Sequence, residues 1–262
     1  MSLFHENKII NLDKHPINSN YYLDTCKKKL KDKSVLQLDD FLSSESLKNI
    51  QKEANALHSK AYYCSQNHTV FLKKKHDSLD SNDPCNIEVV SNKGCVPHDL
   101  ISDNSELNKL YHSNKFTSFL ERVLNISKIY PYKDSLSSIN YNYYEKNQQL
   151  GWHFDNASFA ITLMIQSPNS GGVFQYVNKG RDYEKNFVDK ELIKLVMNGN
   201  YPVNQLSVKP GTLILFYGRN YLHQVTPVTS EKCRILVTLN YNLEKDIELS
   251  ENARLTFFGR IK

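Results

Sequence analysis

Apolar positions divide the chain into a helical first half and a strand-rich second half. Residues 1–33 are polar, rich in Lys and Asn, and lack periodicity, which predicts an irregular N-terminal arm. Val35 to Leu38 reads as a short strand. Leu47, Ile50, Ala54 and Leu57 then recur at the three- and four-residue spacing of one helix face, with Ser43 or Ser44 placed to cap it. Residues 63–100 carry no clean period, and Ser81-Asn82-Asp83-Pro84 and Asn92-Lys93-Gly94 are turn signals. From about Ser105 to Leu124, the apolar set Leu107, Leu110, Tyr111, Phe119, Leu120 and Val123 predicts a second helix.

Beyond Pro131 the period changes. Ile139–Tyr144, the segment around His153, Phe159–Ile165, Val173–Tyr176, Thr212–Tyr217 and Arg234–Tyr241 read as short strands. Turns rich in Gly, Pro and Asn separate them, at 168–172 and at Lys209-Pro210-Gly211. A polar insertion at 178–205 holds one further helix, over Asp189–Met197, and is a candidate lid. The pattern predicts an α+β fold with a mainly β core. A jelly roll (a double-stranded β-helix) spans about 131–262, helices buttress it over about 34–130, and together they form one domain over 34–262.

Composition narrows the class. Hydrophobic residues make up 40% of the 262, enough for a packed core. The net charge of +5 sits largely in lysine runs, at 27–29 and 73–75, which read as solvated faces rather than a nucleic-acid footprint. The five cysteines are odd in number and none shows C-x-x-C spacing, against a disulfide framework or a zinc ribbon. We therefore expect a reducing, cytoplasmic setting. The N-terminus lacks the apolar stretch of a signal peptide. The longest apolar run, Phe159–Ile165, falls far short of the ~20 residues of a membrane helix, so no membrane partner is expected.

Candidate chemistry starts at Gly151-Trp152-His153-Phe154-Asp155-Asn156. On a strand, His153 and Asp155 would share a face and could hold one metal ion. His223 follows the strand 212–217, and Arg234 lies eleven residues further on, inside a strand. Two imidazoles and one carboxylate make the facial triad that suits non-haem Fe(II), leaving sites for a 2-oxo acid and for O2. The far carboxylate of such a cosubstrate calls for a bidentate cation, and Arg234 is one of only six arginines in the chain. An arginine in an apolar strand is costly without a partner, which a bound dicarboxylate would supply. Strand alternation puts Thr238 and Asn240 on the face of Arg234, as candidate substrate contacts.

The order His153-x-Asp155, His223, Arg234 resembles the Fe(II)/2-oxoglutarate-dependent oxygenases, whose fold is a double-stranded β-helix. The lead-in from Tyr144 to His153 resembles theirs as well, with Asn147 where glycine is usual, and the resemblance extends a cosubstrate role to Tyr144. Residues 152–156, 159–166, 170–176, 209–211 and 217–228 look like the free-amino-acid (lysine-type) radical halogenases and their hydroxylase relatives. Phe257-Phe258-Gly259-Arg260 resembles a C-terminal element of that group, which makes Phe258 a candidate substrate contact. Asp134 stands in a position resembling an acidic residue that binds the substrate amine, and Asn156 adjoins the metal site. The halogenases of the group have a small residue where this chain has Asp155, so the resemblance implies hydroxylation. It implies Fe(II), 2-oxoglutarate and O2 as cofactor and cosubstrates, and a small amine-containing substrate, a free amino acid such as lysine. One departure stands out: no arginine occurs near Pro84-Cys85-Asn86, where the group has one that grips the amino-acid carboxylate. Two alternatives remain open at this point: the same chemistry on a protein side chain or other macromolecule, and a non-catalytic metal-binding β-roll. Asn240, where the DNA-repair type has a second arginine, argues against nucleic acid. The oligomeric state is not legible.

Overall fold

A computed structural model describes residues 8–80 and 82–262. Helices among the described residues include α1 (Asn20–Lys33), α2 (Ser44–Leu57), α3 (Glu106–Tyr111), α4 (Asn114–Leu124), α5 (Lys190–Met197) and α6 (Glu251–Phe258). Eleven strands form one sheet: β1 (Val35–Leu38), β2 (Tyr62–His68), β3 (Val89–Val96), β4 (Ile139–Tyr144), β5 (Gln149–His153), β6 (Ala160–Gln166), β7 (Phe174–Lys179), β8 (Asn204–Leu206), β9 (Leu213–Phe216), β10 (Tyr221–Val225) and β11 (Arg234–Leu239). Their order is β1-β9-β6-β11-β4-β3-β5-β10-β7-β8, with β2 hung on β3. Every pairing is antiparallel, giving the curled jelly-roll arrangement that the strand pattern predicts.

The two faces of the central strands do different work. Ile139, Tyr141 and Tyr143 of β4 and Ile235, Val237 and Leu239 of β11 enter the main core, with Phe41, Ile50, Leu107, Phe116 and Phe119 from the helical side. Their neighbours, with the opposite parity, face the other way. Register aligns Arg234 with Tyr144, Leu236 with Asn142 and Thr238 with Asn140. Period-2 alternation thus sends one set to the helices and the other to the concave side of the roll.

Several local expectations are corrected. Residues 20–33, expected to be irregular, form α1; residues 1–7 of that arm lie outside the described residues. Ser19 caps α1 by accepting from the Tyr22 N–H, and Leu23, Cys26 and Leu30 are buried along it. The stripe is only three residues wide among lysines, so its period is hard to see. The single helix expected at 105–124 is two, because Ser113 accepts from the Phe116 N–H and starts a new one after His112. Asn92-Lys93-Gly94 is not a turn but the middle of β3. There Gly94 serves close packing: a Cβ on it would stand 2.8 Å from Tyr63 Cε1. No strand was expected at β2, β3 or β10. In the insertion, Asp189 caps α5, whose Leu192, Ile193 and Val196 pack with Val70, Phe154, Val177 and Leu222. That helix buttresses the segment between His153 and Asp155. All five cysteines are free thiols. Among the described residues no helix is long and apolar enough to cross a membrane.

Candidate metal centre

His153 ends β5 and His223 sits mid-way along β10, directly opposite each other in the pairing of those strands. Each imidazole is fixed by a backbone carbonyl two residues back: His153 Nδ1 donates to Gly151 O at 2.8 Å, and His223 Nδ1 to Tyr221 O at 2.9 Å. Both Nε2 lone pairs are left free to face a common point. Asp155 brings its Oδ1 there, 3.4 Å from His153 Nε2 and 3.5 Å from His223 Nε2. The three donors lie within 4.8 Å of one another, and they form the group of metal-binding side chains found among the described residues. Asp155 is not on the strand, as expected from alternation. β5 stops at His153, and the chain continues as a loop in which Phe154 N–H donates to Val70 O and Asp155 N–H to Gly218 O. The pair reaches one point by loop geometry rather than by shared strand face.

The electrostatics suit a cation. Burial, helped by neighbouring His223, pushes the His153 imidazole down to about 4, so it is neutral at neutral pH, the form that ligates metals. Burial would raise the Asp155 carboxyl, but His223 and His153 beside it outweigh that and hold the group well below the usual carboxylate range. Its Oδ2 is buried and has no hydrogen-bond partner among the described residues.

A chain of hydrogen bonds behind His153 holds it in place. His68 is buried beside it, ring centroids 6.3 Å apart. His68 Nδ1 donates to Thr69 O at 2.8 Å, which leaves Nε2 to accept from Ser91 O–H at 2.5 Å. Ser91 Oγ in turn accepts the Gly151 N–H at 3.0 Å, and Gly151 O holds His153. Gly151 is forced by close approach, since a Cβ there would lie 2.7 Å from Val90 O.

Arg234 opens β11 and is buried, its guanidinium 5.2 Å over the Tyr144 ring. Its Nε and Nη1 are buried with no hydrogen-bond partner among the described residues. Burial lowers the guanidinium from its ordinary value, opposed by Tyr144 and Cys233. It lines a cavity of about 360 Å³ together with Met164, Gly172, Phe174 and Leu206. Gly172, in the left-handed region, makes room for it: a Cβ there would meet Arg234 Cδ at 3.0 Å. Phe174 links this cavity to the triad, its ring 5.7 Å from that of His223.

The other expected site residues fare unevenly. Thr238 Oγ1 is within 3.4 Å of the amides of Asn142 and Asn240. The Asn240 amide also donates to Ser137 O and Asn140 Oδ1. Asp134 is spent internally, accepting from Leu136 N–H, Ser137 O–H and Leu249 N–H. Asn156 is exposed, and its carbonyl accepts from Arg219. Phe258 is buried against Cys95 and Leu136, whereas its neighbour Phe257 receives the Lys93 ammonium at 5.3 Å. Residue-level reading had no signal for Lys93, hidden in an apparent turn. It had none for His68 and Ser91, which come from strands it did not find. Gly218 and Arg219 entered only within the stretch 217–228, with no role attached, and Arg181 carried no signal.

Several solved structures share this fold. A 2OG-Fe(II) oxygenase family oxidoreductase from Burkholderia pseudomallei aligns over 86% of this chain and 93% of its own, with 14% identity and a TM-score of 0.53. The α-ketoglutarate-dependent epimerase SnoN from nogalamycin biosynthesis aligns over 86% and 83%, with 10% identity and a TM-score of 0.57. A Pseudomonas putida prolyl-4-hydroxylase aligns over 82% and 96%, with 11% identity and a TM-score of 0.51. No curated protein matches the chain in sequence. The fold is thus that of the Fe(II)/2-oxoglutarate oxygenases. Within that class the chain belongs to the halogenase D family, whose sequence model matches residues 18–256.

Proposed function

We propose that the protein is an Fe(II)- and 2-oxoglutarate-dependent hydroxylase acting on an unactivated C–H bond of a small amine-containing substrate, a free amino acid such as lysine. The observation that carries this reading is the convergence of two imidazole Nε2 atoms on one carboxylate oxygen, with all three donors within 4.8 Å. The residues fit the groups. His153 Nε2, His223 Nε2 and Asp155 Oδ1 would hold Fe(II), the donor set of a facial triad. The unpaired Nε and Nη1 of Arg234 would take the distal carboxylate of 2-oxoglutarate in the adjoining cavity. When bound, these groups supply the chemistry: O2 and 2-oxoglutarate are converted to succinate and CO2, and one oxygen atom enters the substrate C–H bond as a hydroxyl.

This chain's residues do the positioning. Gly151 O and Tyr221 O keep each histidine's Nε2 directed at the metal position. Phe174 and Phe216, at 5.7 and 4.9 Å from the His223 ring, keep its surroundings apolar. Lys93, Asn142 and Thr238 offer the polar contacts for substrate. The Lys93 ammonium, donating to Asn142 Oδ1 at 2.6 Å, is a cation for a substrate carboxylate where the expected arginine is missing. Asp134, with three donors already on its carboxylate, is left out of this role.

The family's description favours a second reading, halide transfer. Asp155 counts against it, because its carboxylate fills the position a halide would need. The test is succinate formation with Fe(II), 2-oxoglutarate and O2 across a panel of amino acids, with products examined by mass spectrometry. We expect one amino acid to raise succinate well above background and to yield a product one oxygen atom heavier, and His153→Ala or His223→Ala to abolish both. A chlorinated product from the unaltered protein would establish the second reading instead. Succinate formation at unaltered rates in both histidine variants would sink the metal assignment.

A further inference from the structure

We propose that Gly218 is a positioning residue for the third metal ligand: the space left by its missing side chain seats the Asp155 carboxylate against the two histidines. The proposal rests on the metal-site reading above. Gly218 precedes β10 in the turn that faces the Asp155 loop, and its backbone is not among the positive-φ glycines, so conformation alone does not demand glycine there. What demands it is Asp155. A Cβ on Gly218 would lie 2.5 Å from Asp155 Cγ and 3.1 Å from Asp155 Cβ, and would overlap Oδ2, the oxygen that is buried without a partner.

The Asp155 backbone is not free to retreat. Its N–H donates to Gly218 O at 3.0 Å, and its carbonyl accepts from Arg181 Nη2 at 2.9 Å. Arg181 is itself tied to Arg219 O through Nε at 2.6 Å and lies 4.8 Å over the Phe154 ring. Arg219 clamps the next carbonyl, Asn156 O, from Nε and Nη2 at 3.1 and 2.7 Å. With the loop held at both peptide units, an added methyl displaces the carboxylate rather than the chain. Residue 218 thereby decides whether the third ligand comes from the protein, and Gly218→Ala acts as a partial Asp155→Gly.

The experiment is anaerobic calorimetric titration of Fe(II) into the apo forms of the unaltered protein, Gly218→Ala, Asp155→Gly, the double variant and His223→Ala, with apo melting temperatures alongside. We expect Gly218→Ala to weaken Fe(II) binding roughly 10–100-fold, the usual cost of losing a group that orients a metal ligand. In the Asp155→Gly background, where nothing is left to displace, the same methyl should change affinity by less than about 2-fold and leave the melting temperature unchanged. Unaltered affinity in Gly218→Ala, or losses that multiply in the double variant, would overturn the proposal, the second by showing general damage to the turn. If Gly218→Ala alone does not fold, the double variant still decides, because the clash partner is gone. Failure of the metal reading looks different: His223→Ala would then bind Fe(II) as tightly as the unaltered protein.

Discussion

Arg234 shows how one residue can be expensive to the fold and still be retained. It is buried, two of its guanidinium nitrogens lack partners among the described residues, and the Tyr144 ring lies against it. Unpaired buried donors cost stability, so a ligand that pairs them gains correspondingly. Lysine would restore the charge but not the planar pair of donors. Arg234→Lys should therefore raise the KM for 2-oxoglutarate by roughly 10–100-fold, the value of about 1.5–3 kcal/mol for hydrogen bonds to a charged group, with a smaller effect on kcat. Steady-state kinetics at saturating amino acid checks this, and an unchanged KM would remove Arg234 from the cosubstrate site. The candidate ligands His153, Asp155 and His223, and the candidate anion-holder Arg234, were legible in the sequence because residue type and chain order are written locally. Lys93 and Gly218 were not. The role proposed for Lys93 depends on β3 being flanked by β2, β4 and β5, and that proposed for Gly218 on a loop sixty-odd residues earlier folding against it.

At the scale of elements, α1 is the instructive case. Its lysines hide a stripe, Leu23, Cys26 and Leu30, that joins the same core as β4 and β11. A helix of 14 residues gains little from propensity alone in water, so its stability comes from that burial. Leu30 is 0% exposed, and Leu30→Ala should cost about 2–5 kcal/mol of global stability, read as a lower denaturation midpoint in urea. A loss under about 0.5 kcal/mol, the range of surface substitutions, would show that α1 is not part of the core. Strands β6, β9 and β11 were visible because they are buried on both faces and read as continuous apolar runs. Strands β2 and β3 were invisible for the opposite reason. β2 is mostly exposed or half-exposed, and its seven pairs with β3 are set by tertiary contact rather than by a hydrophobic pattern.

At the scale of the whole molecule, the same central strands carry the core on one face and the site on the other, so the ionisation of a site residue is felt by global stability. His153 is held at about 4 in the fold, against an unfolded value near 6.5. The unfolded chain therefore binds a proton first as pH falls, and unfolding is favoured progressively between about 6.5 and 4. Above that window both states are neutral at this residue, and below it both are protonated, so its contribution levels off on either side. Asp155, held well below the usual carboxylate range, stays ionised in the fold, while the unfolded chain begins to protonate it near 3.8, so it adds to the loss only at the acid end of the window. The apo protein should lose on the order of 3 kcal/mol through His153 across this window. Other histidines held down by burial, His15 and His112, slope the same way, so the readout is a difference. Apo melting temperatures from pH 7 to 4 should fall less steeply for His153→Gln than for the unaltered protein. Parallel curves would mean that His153 takes up its proton in the fold as readily as in the unfolded chain. Fe(II), which competes with that proton, should raise the melting temperature of the unaltered protein more at pH 7 than at pH 5, and should do little for His153→Gln at either pH.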